Sequence, residues 1–162
     1  MAKKIPPIDN EEQQRLSIKT FAGFIESTEP WEELTHCQYA KNTLVAFKND
    51  WNSFVAFCIE NKVPCLPAKS DTVHRYIDYM SRSRKLASLK RYMVTISLVH
   101  RCHNLTDPCS HTEIRLEMQK QQLRKHDDYR NASAFRDEHL QKLLYQFELS
   151  TKMKDIRDMA IW

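Results

Sequence analysis

Glycine is almost missing: Gly23 is the only one in 162 residues. A loop that cradles phosphates with its backbone needs several glycines for close approach, so a dinucleotide-binding fingerprint and a P-loop are both excluded. No apolar run nears the ~18 residues of a bilayer-spanning helix. The opening Met1-Ala-Lys-Lys-Ile-Pro-Pro has no apolar signal-peptide core, so a cytoplasmic protein is expected. Cysteines are few and odd in number (Cys37, Cys58, Cys65, Cys102 and Cys109), in no paired pattern, and reduced thiols are the default for such a chain. Cys102-His103 with Cys109 and His111 is the one cluster hinting at metal. Its spacing fits no standard zinc pattern, and helix neighbours such as Cys102 and His103 point about 100° apart. No cofactor and no small-molecule substrate are expected.

What is present reads as helix. The chain is 41% hydrophobic and 28% charged, ordinary for a globular protein, and its length suits one domain or slightly more. Without glycine or alternating apolar runs, the fold class expected is all-α. Asp9 is expected to cap a first helix running to about Glu26, with Phe21, Phe24 and Ile25 as its apolar edge, followed by a loop around Pro30. A second helix, about Gln38 to Asn61, carries the core stripe Leu44, Phe47, Trp51, Phe54, Val55 and Cys58. Ser70 should cap a third, with Val73, Tyr76, Ile77 and Met80 buried. A fourth follows the Arg82-Ser83-Arg84 turn and stops before Asn104. Ser110 and Glu113 suggest a capping box for a fifth, about 111–126. Residues 127–134 read as a linker. A sixth helix, about Asp137 to Leu149, shows Leu140, Leu143, Leu144 and Phe147 at helical spacing. A last one begins near Lys154 and breaks off at Trp162 in mid-pattern, which suggests a fragment.

Charge is unevenly spread. Residues 1–35 carry a net −3, 36–126 a net +8, and 127–162 a net −1. A basic middle between acidic flanks is the footprint of a polyanion binder. An anionic membrane is the competing partner, but no amphipathic helix pairs bulky apolar residues with these bases. The bases concentrate in Arg82, Arg84, Lys85, Lys90 and Arg91, a stretch with no acid. At roughly 100° per residue, Leu86, Leu89, Met93, Ile96 and His100 share one stripe, and Arg84, Ser88, Arg91 and Thr95 the opposite one. The expectation is a packing face and a face of guanidinium and hydroxyl groups suited to a duplex. Lys90 falls off that basic stripe.

Several segments resemble the tyrosine recombinase (phage integrase) family, leaning toward its Cre-like branch. They are Asn42-Thr43-Leu44 with Asp50 to Cys58, Leu66-Pro67-Ala68 with Val73 and Tyr76-Ile77, and above all Ala87 to Ile96 with His100-Arg101 and Asn104 to Pro108. Asn104 stands where the family usually has glycine. Ala134-Phe135 and Lys154 to Ala160 resemble the beginning of that family's catalytic domain. The likeness covers roughly residues 36–162.

The resemblance implies a four- to five-helix SAM-like core-binding bundle, followed by a linker and one or two further helices. Residues 1–35 would be an N-terminal extension, 36–126 the DNA-binding domain, 127–134 the linker and 135–162 the truncated start of the catalytic domain. Lys41, Thr43 and Lys48 would lie against phosphates. Ser88 and Arg91 would reach the major groove, flanked by Lys85 and Lys90, with Arg101, Arg124 and Lys125 near the backbone. The Phe21, Phe24 and Ile25 edge of the first helix would dock on a neighbouring protomer, with packing on its own domain the equal alternative. The family cleaves DNA with a tyrosine inside a cationic clamp, and its first catalytic arginine lies beyond the position matching Trp162. The chain alone is therefore expected to bind double-stranded DNA, nucleoid-associated in the cell, and not to be an enzyme. A helix-turn-helix-like transcription regulator and a helical protein-interaction module are the alternative readings.

Overall fold

The structure, a computed structural model, describes residues 5–125 and 136–148. Among the described residues there are seven α-helices and no strand, so the protein is all-α as its sequence predicts. They are α1 (Glu11–Phe21), α2 (Glu29–Leu34), α3 (Lys41–Glu60), α4 (Ser70–Ser81), α5 (Leu86–Cys102), α6 (Thr112–Arg124) and α7 (Asp137–Glu148). A 3-10 turn, Pro108–Ser110, precedes α6. The chain divides into two compact units, 1–128 and 129–162. The expected linker and the expected last helix lie outside the described residues, and α7 is the described part of the second unit.

Several helix ends differ from the sequence expectation. Asn10, not Asp9, caps α1, its side chain accepting from the Glu12 and Gln13 N–H groups. The helix stops at Phe21 because the chain is captured downstream: the Asn52 side chain donates to the Ile25 carbonyl and accepts from its N–H. Phe24 is exposed, while Phe21 and Ile25 are buried. The segment expected to be a loop around Pro30 forms α2, with the proline in its first turn where its missing N–H costs nothing. Lys69 rather than Ser70 occupies the N-cap of α4. The capping box at Ser110 and Glu113 does not form. Ser110 lies in the 3-10 turn, where its hydroxyl donates to the Asp107 carbonyl, and His111 takes the cap position of α6.

The core of the first unit is built on the α3 stripe, all of which is buried: Leu44, Phe47, Trp51, Phe54, Val55 and Cys58. Residues from before position 36 complete it. Phe21 meets the Trp31 ring edge-on at 5.0 Å, and the Trp51 indole N–H donates to the Phe21 carbonyl at 3.0 Å. Phe21, Ile25, Trp31 and Leu34 are thus core residues rather than parts of an appendage. From the other side, α4 contributes Val73, Tyr76, Ile77 and Met80, and α5 contributes Leu89, Ile96 and Val99.

Three helices end on a residue with left-handed backbone, the place where glycine is usual. His36 (φ 50°) follows α2, Lys62 (φ 55°) follows α3 and Asn104 (φ 54°) follows α5. At each, a backbone bond closes the end: Cys37 N–H to the Glu32 carbonyl, Val63 N–H to the Cys58 carbonyl and Leu105 N–H to the His100 carbonyl. Gly23, the one glycine, is at none of these ends.

Candidate nucleic-acid interface

The helix α5 is packed on several sides at once, by α3, α4, α6 and the 3-10 turn. Its buried arc is correspondingly wide: Leu89, Tyr92, Thr95, Ile96, Leu98, Val99, His100 and Cys102. Water reaches Ala87, Lys90, Val94 and Arg101, with Arg91 at the edge toward α3. This corrects the helical wheel. Thr95 is completely buried and unavailable to a duplex, Ser88 is half-buried, and Arg84 precedes the helix. Lys90, which the wheel set aside, is exposed beside Ala87 and Val94. The wheel assumed one packed side. With neighbours on several sides, the solvent strip narrows and turns by about one residue step, roughly 100°.

Arg91 is held rather than free. Its Nε and one terminal nitrogen donate to the two carboxylate oxygens of Asp50, at 2.7 and 2.8 Å. The Asp50 side chain is only 2% exposed, while that of Arg91 is 52% exposed. The single hydroxyl proton of Thr95 is shared between the Arg91 carbonyl, 3.1 Å from Oγ1, and the same carboxylate, 3.4 Å away. The Asp50 bond raises the guanidinium's pKa further above its ordinary value. Sequence reasoning passed over Asp50, although a signal was there. A lone carboxylate between Phe47 and Trp51 on a core helix must have a partner, because an unpaired buried charge is costly.

The remaining expected contacts divide into engaged and free side chains. Lys41 is exposed in the first turn of α3, and Thr43 is half-buried. Lys48 donates to the Glu26 carbonyl at 2.8 Å, so it ties α3 to the segment after α1. Arg101 Nε donates to the Ser97 carbonyl at 3.3 Å along its own helix. Arg124 is exposed in the last turn of α6, and Lys125 closes that helix through its N–H to the Gln121 carbonyl. Arg75 and Arg82 pair with Asp71 and Asp78, and Lys120 pairs with Glu117. Arg84, Lys85 and Lys90 are exposed, and none of them forms an ion pair among the described residues. The connection from α4 and the start of α5 therefore carry three exposed cations, close in sequence, without an ion-pair partner among the described residues.

Of the Cys-His cluster, Cys102 and His103 are buried in the bundle, while His111 is exposed. Both His103 nitrogens are engaged, Nδ1 with the Val99 carbonyl at 2.7 Å and Nε2 with the Ser17 hydroxyl at 2.7 Å. The Cys102 thiol is buried, which pushes its pKa up to about 11. Among the described residues, no group of three His, Cys, Asp or Glu side chains is placed to hold a metal ion. None of the described helices is long and apolar enough to cross a membrane. No protein-family profile matches the chain, and no curated protein matches it.

Proposed function

We propose that the first unit binds double-stranded DNA through the solvent strip of α5 and the connection before it, as the N-terminal part of a tyrosine site-specific recombinase. The observation that carries the reading is the set of unpaired, exposed cations Arg84, Lys85 and Lys90 at and just before the start of α5, with Arg101 farther along that helix. They stand within the segment that holds the whole positive excess of the chain. Cations without internal partners can exchange their counterions for phosphates without first breaking a protein ion pair. In this role Arg84, Lys85 and Lys90 grip the sugar–phosphate backbone, Lys41 and Arg124 add outlying contacts, and Lys48 keeps the bundle together. Any protomer contact through α1 falls to its exposed Leu16 and to Phe24 just beyond it, because Phe21 and Ile25 are already used in the core.

Gel-shift titrations of the full chain over a salt series test this. Affinity for duplex DNA should fall steeply with salt. Arg84→Ala, Lys85→Ala and Lys90→Ala should each lower the salt slope by about one. A flat salt response, or variants indistinguishable from the parent, refutes the reading.

A further inference from the structure

We infer that Asp50 is a positioning residue that aims the free edge of Arg91 at the major-groove edge of a guanine. The inference rests on the DNA-binding reading and deepens it. A guanidinium has two edges able to form paired bonds, and the five N–H donors lie in one plane. Asp50 takes the edge made by Nε and one terminal nitrogen. The edge between the two terminal nitrogens keeps its outward donors, on a side chain that is half exposed at the border of the α5 strip. A buried carboxylate, itself steadied by Thr95 Oγ1, therefore fixes the plane of the fork. An arginine free in solvent would have to give up rotamer freedom to be held in that way.

Charge decides which acceptor the fork suits. The Arg91 and Asp50 pair is neutral as a unit, so it attracts a phosphate weakly, unlike the unpaired Arg84, Lys85 and Lys90. A neutral acceptor pair suffers no such loss, and the O6 and N7 atoms of guanine match two parallel N–H bonds. A base edge also rewards a fixed plane, because its two acceptors lie in the plane of the base and carry the sequence information that phosphate contacts lack. The strip thus divides its work: free cations hold the backbone, and the buttressed arginine reads a base.

The experiment is selection of a preferred site from a random duplex pool by the full chain, followed by replacement of each guanine in that site with 7-deazaguanine. At one guanine the loss of N7 should weaken binding by roughly tenfold or more. Arg91→Lys keeps the charge beside Asp50 and should fold, yet it should bind both duplexes alike. Asp50→Asn leaves Arg91 in place without its charged buttress and should shrink the same discrimination, at unchanged or steeper salt dependence. A parent indifferent to 7-deazaguanine at every position overturns the inference while leaving DNA binding intact. So does an Arg91→Lys protein that still discriminates. Failure of the parent to bind any duplex overturns the functional reading and this inference with it.

Discussion

Removing the Arg91 side chain would strand the Asp50 carboxylate, almost wholly buried, without its two strongest donors. Arg91→Ala should therefore cost about 2–3 kcal/mol of folding stability, below the ~3–5 of a fully buried pair because half of the guanidinium already lies in water. Asp50→Asn made together with it should recover part of that loss, since the neutral amide carries no stranded charge. Urea unfolding of the two variants measures both effects, and an unchanged midpoint for Arg91→Ala would remove the structural role assigned to the pair. Thr95 provides a contrast. Thr95→Val should cost about 1 kcal/mol for its lost hydrogen bonds and leave backbone gripping by Arg84, Lys85 and Lys90 untouched. Its salt slope in gel shifts should match the parent's. The left-handed helix ends make a third case. Lys62 and His36 accept the strain that a side chain brings to such a backbone. Lys62→Gly should raise stability by about 0.5–1 kcal/mol, visible as a higher melting temperature, and Asn104→Gly by less because asparagine tolerates that conformation.

Between elements, two buried histidines set a pH dependence. His100 joins α5 to the chain before α4: its Nδ1 faces the Ile96 carbonyl and so donates, leaving Nε2 to accept from the Ala68 N–H at 2.9 Å. A second proton on that ring would sit against another donor. His103 ties α5 to α1 in the same sense, donating from Nδ1 to the Val99 carbonyl while Ser17 contacts Nε2. Burial lowers both pKa values below the ordinary 6.5. The unfolded chain then takes up protons before the folded one does. Stability should be complete above about pH 6.5 and fall as the pH drops from there toward the lower folded values. Urea midpoints measured from pH 7.5 down to 5.5 check the sign. A midpoint constant over that range would mean that both rings titrate as they do in the unfolded chain. The same polar clasp explains why α1, whose outer face is hydrophilic, stays attached. Gln14 donates to the His103 carbonyl, the Ile8 N–H donates to the Cys102 carbonyl, and Phe21 is buried at the helix end.

For the molecule as a whole, the two units make separate demands. The first contains its own core, from Phe21 to Ile114. A polypeptide of residues 1–128 should therefore melt cooperatively when followed by circular dichroism. Deletion of residues 1–30 takes Phe21 and Ile25 out of that core. Truncating a buried Phe alone costs about 3–5 kcal/mol, and natural domains hold only about 5–15. The shortened protein should lose its cooperative transition. Retention of a sharp melt would show that residues 1–30 are an appendage to the bundle rather than part of its core.

Helix content was legible in the residues themselves. Scarce glycine and no alternating apolar runs left α-helix as the one regular structure open to the backbone. The α3 and α4 stripes followed because each is wide, apolar and three to four residues apart, a pattern that any packing partner would bury. The concentration of positive charge at 82–91 was equally plain, since charge is a property of composition. Which face of α5 meets water was not, because that depends on how many neighbours surround it, and a wheel drawn from one helix contains no neighbours. Nor was the fate of Arg91 visible, as its partner stands far away in sequence on α3. Helix formation is local and answers to the sequence within a turn or two. Burial and ion pairing are long-range, and only the assembled bundle decided that Thr95 would be hidden, Lys90 open, and Arg91 bound to Asp50.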